Sequence, residues 1–267
     1  MKADLHVHTK YSDGLHEPAA VVAAARDAAL TAIAITDHDT VAGVEEAVAA
    51  GARLGVRVIP GIEFSAERGA REYHVLGYGL DIRHPLIEQK IREIQDGRGA
   101  RAAKIVALLR QAGIDLPAEK LVPPAGGVVG RMHIARLMVE QGQVKDNETA
   151  FRKYLRHGRP AYVPHTPLDP VEIVQLILVA GGIPVGALVK FSHHDAILAE
   201  LIAAGLRGLE VWHRDHTPAE QRHYAALAQS QQLLMTGGSD WHGDPVKNLI
   251  GPAAIPAAAL QAFLAAL

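Results

Sequence analysis

The sequence predicts an α/β fold, a barrel of parallel strands wrapped by helices, on three observations. Short β-branched runs alternate with longer Ala/Leu-rich stretches, the alternation lapses for one long interval and then resumes, and polar residues able to do chemistry recur directly after many of the strand-like runs. Repeated strand–helix units give a parallel sheet, open or closed. Polar signals after many strands favour the closed barrel, since an open sheet gathers them at one switch point. In chain order, residues 4–8 form a first strand and 17–29 a helix with Pro18 in its first turn, where a missing N–H costs nothing. Strand 32–36, helix 44–54, strand 56–62 and strand 73–78 follow. Beyond the interval come helix 170–180, strand 183–189, helix 196–204, strand 208–212, helix 218–229, strand 233–236 and a closing helix, 256–267.

The interval, residues 83–164, reads as helices without strand-like runs, the longest over 86–111, broken by Pro123-Pro124 and Gly126-Gly127. It holds 15 Lys+Arg against 8 Asp+Glu, which leaves 12 and 21 for the rest of the chain. The whole-chain net charge of −2 thus hides a basic insertion on an acidic core. A solvated helical surface accounts for such an excess as readily as function does. The functional reading is a cationic cap suited to an anionic substrate. The expected organisation is a barrel of 1–82 and 165–267, with 83–164 as a helical cap.

Composition narrows the class. With 267 residues, 49% of them hydrophobic, the chain can build a substantial core, and disorder is excluded. The absence of cysteine excludes a disulfide scaffold, a zinc ribbon and a thiol nucleophile. Near-neutral charge gives no general pull toward duplex DNA or an anionic membrane. No apolar run reaches the ~20 residues of a bilayer span, and Met1-Lys2-Ala3-Asp4 leads into no apolar leader, so a soluble cytoplasmic protein is expected. Fifteen histidines beside 4% aromatics are an unusual balance.

The histidines fall in patterns. His6 and His8 sit at i and i+2 on a strand, share a face and can reach one ion together, although two unrelated strand histidines are the commoner meaning of such a pair. Asp13, in Tyr11-Ser12-Asp13-Gly14, can turn back toward the same pole or simply form the turn. After the second strand, Thr36-Asp37-His38-Asp39 offers His38 as a ligand, with Asp37 as a partner to an imidazole and Asp39 as a cap for the next helix. Glu63, between Ile62 and Phe64 at a strand end, is costly to bury unless paired or bound to metal. His74 opens the strand that follows, and Asp240 and His242 repeat the i, i+2 geometry in Gly237-Gly238-Ser239-Asp240-Trp241-His242. Five histidines and three carboxylates thus fall near successive strand ends, where a barrel gathers its active site. Nitrogen and oxygen donors without thiolate suit zinc, manganese or iron, and paired ions suit phosphoryl transfer to water.

In order and spacing, His6-Val7-His8, Asp13, Asp37-His38, Glu63 and Asp240-Trp241-His242 resemble the motifs of the PHP (polymerase and histidinol phosphatase) family over essentially the whole chain. That resemblance implies a distorted (β/α)7 barrel with up to three divalent ions, manganese first, with iron or zinc as alternatives. It implies that His6, His8, Glu63 and Asp240 hold the first ion, that Asp13, His38 and His242 hold the second, and that Glu63 and His74 supply part of a third. Catalysis would then depend most on Asp240, His8 and Glu63. Within the insertion, Val129-Gly130-Arg131-Met132-His133-Ile134-Ala135-Arg136 and Phe151-Arg152-Lys153-Tyr154-Leu155 resemble the branch of 3′,5′-nucleoside bisphosphate phosphatases and 5′–3′ exoribonucleases. The implied substrate is a small phosphorylated nucleotide or a short RNA end, with Arg131 and His133 on a phosphate and Arg101, Lys104 or Arg136 assisting. Decoration of a helix is the plainer reading of Arg131 and Arg136. One position departs from the family: Leu188 stands where a histidine completes the third ion site, and His193 and His194, five and six residues on, are the candidates to replace it. A histidinol-phosphate or other small-metabolite phosphatase is the alternative within the class. A catalytically weakened nucleotide- or metal-binding module is the alternative outside it.

Overall fold

The computed structural model describes the chain apart from residues 1, 69–70, 165–167, 188–194, 245–248 and 252–254. Seven strands form one sheet in sequence order: β1 (Ala3–Val7), β2 (Ala32–Ile35), β3 (Arg57–Arg68), β4 (Arg71–Tyr78), β5 (Ile183–Ala187), β6 (Gly208–His213) and β7 (Leu234–Gly238). The sheet curls until its ends meet, where Val7 bridges Trp241 and the His8 N–H donates to the Trp241 carbonyl at 2.9 Å. Helices α1 (Pro18–Asp27) and α2 (Val44–Leu54) follow β1 and β2, and α3 (Pro85–Gln111), α4 (Arg131–Glu140) and α5 (Asn147–Ala150) occupy the interval. Helices α6 (Pro170–Val179), α7 (Asp195–Ala203), α8 (Pro218–Ser230) and α9 (Ala257–Ala266) accompany the later strands. Pro18, Pro85, Pro170 and Pro218 each open a helix, where the fixed φ helps and no hydrogen bond is lost. Among the described residues, no helix is long and apolar enough to cross a membrane.

The expectation of an all-parallel sheet is corrected at one strand. β4 runs antiparallel to both β3 and β5. β3 continues past the expected end at residue 62 to Arg68, which pairs with Arg71 of β4. Two intervening residues can join only antiparallel strands, because a parallel return needs a crossover of a dozen residues. Glu63 therefore lies in mid-strand rather than at a strand end. β5 is described as far as Ala187, and Leu188, His193 and His194 lie outside the described residues.

Period-two alternation explains why the polar residues converge. Ala32 and Ala34 of β2, Ile59 of β3, Leu76 and Tyr78 of β4, and Ile183 and Val185 of β5 pack in one cluster closed by Leu260 and Phe263 of α9. Continuing by twos from that plug leads from Ile59 to Glu63, from Tyr78 to His74 and from Ala34 to His38. The intervening residues Ile33 and Ile35 pack outward against α1 and α2, and Ile62 and Phe64 pack outward in the largest cluster. On β1 the pairing register shifts between Asp4 and Val7, so Leu5 packs in the plug while Val7 packs with the outer layer. His6 and His8 gain the inner face by that irregularity, a usual way for a sheet to re-aim a side chain.

Residues of the interval form a separate apolar cluster, in which Ile105 and Leu109 of α3 meet Ile134 and Met138 of α4 and Leu155 of a π-helical turn, Phe151–Leu155. Its loops are tied to those of the barrel: Val128 N–H donates to the Tyr11 carbonyl at 2.9 Å, and Thr40 Oγ1 donates to the Gly126 carbonyl at 2.6 Å.

Closure leaves no room at Gly238. A Cβ there would sit 2.2 Å from His6 Cβ and 2.5 Å from His6 N. Gly238→Ala must push β7 away from β1, and overpacking of this kind costs about 1–3 kcal/mol. Its urea midpoint is expected to fall accordingly, with an unchanged midpoint counting against the tight β1–β7 approach.

Candidate active site

Glu63 is the hub of the site. Its side chain is 2% exposed, with Oε2 lying 3.1 Å from His6 Nε2, 3.3 Å from His8 Nε2 and 3.1 Å from His38 Nδ1, while Oε1 is 2.6 Å from His74 Nδ1. Asp240 Oδ1 approaches from the far end of the chain, 3.0 Å from His8 Nε2 and 3.6 Å from His6 Nε2. Asp13 Oδ1 is 3.0 Å from His242 Nε2. All eight residues singled out by spacing are thus brought together.

Among the described residues, four sets of side chains place donor atoms close enough to share one cation: His6/His8/Glu63/Asp240, His8/Asp13/His38/His242, His38/Glu63/His74 and His6/Glu210/His213. The test of fit lies in the lone pairs. His8 Nε2, Asp13 Oδ1 and His38 Nδ1 are buried and make no hydrogen bond of acceptable geometry, although carboxylate oxygens lie near the two imidazoles and His242 Nε2 near Asp13. Buried polar atoms are rarely left so. A positive ion between them satisfies all three, so the residues fit divalent cations.

Neighbours fix which ring nitrogen faces inward. His6 Nδ1 donates to Glu210 Oε1 at 2.9 Å, and His242 Nδ1 donates to the Asp240 carbonyl at 2.8 Å. Both rings therefore turn Nε2 toward the centre, the arrangement that orients metal-binding histidines. Loops are pinned by buried carboxylates. Asp37 accepts from Thr9 N at 2.7 Å, Thr9 Oγ1 at 2.6 Å and Ser12 Oγ at 2.5 Å, which holds the turn carrying Asp13. It orders a loop rather than an imidazole. Asp39 caps no helix: it accepts from Ser65 N at 2.9 Å and pairs with Arg98 of α3, while Gly43 is the cap of α2. Asp4 accepts from Ser239 N at 2.9 Å, Ser239 Oγ at 2.5 Å and Gly251 N at 2.7 Å, which fixes the loop ahead of Asp240.

Electrostatics follow from crowding. Burial opposes a charge on His242 and His74, but Asp13 and Asp240 outweigh it for the first and Glu63 for the second, raising each pKa to about 10. Burial lowers His38 to about 4 and also lowers His8 and His213. Glu63 and Asp240 stay ionised despite burial because imidazoles surround them.

The cluster opens on a cavity of about 260 Å³ whose wall also includes Arg98, Arg101 and Arg131. Arg101 Nε donates to the Val163 carbonyl at 2.8 Å, and Arg131 pairs with Glu72 at 2.6 Å. The other expected substrate residues do not line this cavity, although His133 and Arg136 both feel the charge of Asp13. His133 Nδ1 accepts from Gly130 N–H at 3.0 Å and closes the first turn of α4, Arg136 is half-buried and Lys104 is exposed, all outside the cavity wall. Arg98, Glu210, His213 and Asp4 are additions to the residues that spacing singled out. Glu210 and Asp4 carry the signal that marked Glu63, a carboxylate set between two apolar residues of a strand.

The model of the PHP domain matches residues 4–160. This chain belongs to the PHP family. A curated relative from Chromobacterium violaceum, a 3′,5′-nucleoside bisphosphate phosphatase, is 37% identical over 90% of this chain and 86% of its own length. A 5′–3′ exoribonuclease from Escherichia coli is 35% identical over 90% and 84%. A crystal structure described as a metal-dependent phosphoesterase from Bifidobacterium adolescentis superposes with a TM-score of 0.92 at 30% identity, covering 99% of this chain and 96% of that one. The PHP fold thus accounts for the seven-stranded barrel and for its donor-lined end.

In the PHP site described here, cation uptake has to displace protons from His242 and His74. Mn²⁺ affinity of the metal-free protein is therefore expected to rise with pH up to about pH 10, with proton release on binding below it. Calorimetry in buffers of different ionisation enthalpy reads that release, and a pH-independent affinity would exclude the imidazoles as the groups engaged.

Proposed function

We propose that this PHP protein is a cytoplasmic phosphoesterase that hydrolyses phosphate monoesters of small nucleotides, 3′,5′-bisphosphonucleotides or short RNA 5′ ends, with divalent cations, manganese first and iron or zinc as alternatives. One observation carries the reading: two donor sets that share His8 border a cavity that three arginines also line. His6, His8, Glu63 and Asp240 would hold one cation, and Asp13, His38 and His242 another. When bound, the cations supply an acidified water and positive charge for a phosphoryl group.

The chain's own groups do the rest. Glu63 and Asp240 remain anionic and draw the cationic partners together. Glu210 and the Asp240 carbonyl hold Nδ1 of His6 and of His242, so in each ring Nε2 is the nitrogen that gives up its proton when a cation binds. Residues 83–164 form the cap, and its arginines neutralise a second phosphate, which favours a doubly charged nucleotide over a singly charged metabolite. Arg131 is held by Glu72, an anion that a substrate phosphate can replace without new desolvation. Arg101 adds a second buried cation beside it. Phe151, at whose ring Arg131 lies 5.9 Å from the centroid, gives a base an apolar face.

Phosphate release from a panel of phosphorylated metabolites, with Mn²⁺-loaded protein, tests the reading. Asp240→Asn or His8→Ala should lower kcat by orders of magnitude. Near-wild-type release by either variant would displace the proposed centre. Arg131→Ala should raise KM for a 3′,5′-bisphosphate roughly ten- to hundredfold, from loss of a charge-assisted contact of ~1.5–3 kcal/mol, and affect an aryl phosphate far less. Equal losses on both would reduce Arg131 to a structural role.

For the third set, His38, Glu63 and His74, Leu188 offers no lone pair where the family places imidazole. We expect two tightly held cations per chain after extensive dialysis, rising to three in Leu188→His. Three in the wild type, falling to two in His193→Ala, would show instead that His193 completes the site.

A further inference from the structure

Beside the sets assigned above lies a fourth, His6, Glu210 and His213, at the inner face of β1 and β6. β6 shifts register between Glu210 and Trp212, which brings both Glu210 and His213 inward while Leu209 and Val211 pack outward. The His213 side chain is 0% exposed and yet lines the cavity.

Hydrogen bonding decides what His213 can do. The Asp215 backbone N–H donates to His213 Nδ1 at 3.1 Å, so Nδ1 carries the lone pair. In a neutral ring the proton then sits on Nε2. An Nε2 that bears a proton cannot ligate a cation, and His6 Nδ1 is already committed to Glu210. The fourth set is therefore no separate metal site. His213 Nε2 is buried, makes no hydrogen bond, and points toward Asp240 Oδ2 at 3.9 Å, too far for a direct contact. Asp240 turns its other oxygen, Oδ1, to His8 and His6. The His213 N–H is thus a buried donor without an acceptor, aimed at the side of Asp240 away from those two imidazoles. Buried donors of this kind are rare unless something arrives to accept from them.

We propose that His213 is a further catalytic residue: a neutral imidazole whose Nε2–H donates to a non-bridging oxygen of the substrate phosphoryl group seated beside Asp240. The proposal rests on the phosphoesterase reading. His213 transfers no proton; it is a preorganised dipole where negative charge grows, fixed by the Asp215 N–H. Glu210 and His213 divide the work on β6, one orienting His6 and the other facing the substrate.

The test compares wild type, His213→Phe and His213→Gln, each loaded with Mn²⁺. His213→Phe should lower kcat about a hundredfold with bound Mn²⁺ per chain unchanged, and should weaken binding of inorganic phosphate about tenfold. His213→Gln, which can place an N–H near the same point, should recover at least about a tenth of the lost rate. Nitrogen-15 spectra of the wild type should show the Nε2–H tautomer at His213. An unaltered kcat, loss of Mn²⁺ in step with loss of rate, a glutamine variant as impaired as phenylalanine, or an Nδ1–H tautomer would each overturn the assignment. A wild type that released no phosphate from any ester would sink the phosphoesterase reading instead, and the tautomer and the phosphate affinity would still decide the role of His213.

Discussion

A carboxylate buried beneath four imidazoles is the constraint on which the rest of this structure depends. Glu63 keeps 2% of its side-chain surface and meets His6, His8, His38 and His74. An isolated ionised carboxylate is prohibitively costly in such a place, and the histidines are equally costly if charged without an anion. Each group is tolerable only because the others are present. The set therefore has to be assembled together, from β1, from the loop after β2, from β3 and from β4, and the barrel is the frame that makes those elements meet.

The frame achieves this with one rule and two exceptions. Inward residues alternate along each strand, apolar over the α9 plug and polar beyond it. On β1 and β6, where the rule alone would aim the needed side chains outward, a register shift turns them in. Of four described non-glycine residues in the left-handed region, Ala29 and Gln232 precede β2 and β7, whereas Asp39 and Asp240, with φ of 52° and 51°, lie at the donor end. Aspartate tolerates that conformation better than most residues, and here each is locked by its surroundings. Asp39 is held by Ser65 N and Arg98, and the turn of Asp240 by the Asp4–Ser239 contacts.

What the sequence discloses about the site follows this physics. His6 and His8 at i, i+2, Glu63 between apolar neighbours, and Asp240 and His242 at the far end are legible because metal donors impose spacing on a strand. Glu210 between Leu209 and Val211 obeys the same logic that exposes Glu63. The direction of β4 is illegible in hydrophobic pattern, since a two-residue connection decides it. The cationic wall is legible only in sum. An excess of Lys and Arg marks the insertion as basic, but Arg98, Arg101 and Lys104 follow one another at helical intervals of three. Only the packing of α3 buries the first two at the site and leaves Lys104 in solvent.

That packing joins the cavity arginines to the donor cluster. Arg98 reaches from α3 to the Asp39 carboxylate and, at 3.0 Å, to Ser65 Oγ. Asp39 adjoins His38 in the chain, and Ser65 lies two residues beyond Glu63. Both partners of the pair are buried, so separating them exposes uncompensated charge at about 3–5 kcal/mol. Any shift of α3 relative to the barrel must break this pair or drag the His38 loop and β3 along with it. The helix that presents Arg98 and Arg101 to the cavity is thus coupled mechanically to the residues that would hold the cations. The Val128–Tyr11, Thr40–Gly126 and Arg131–Glu72 contacts add to this tie, so the arginines and the donor cluster are held in one register.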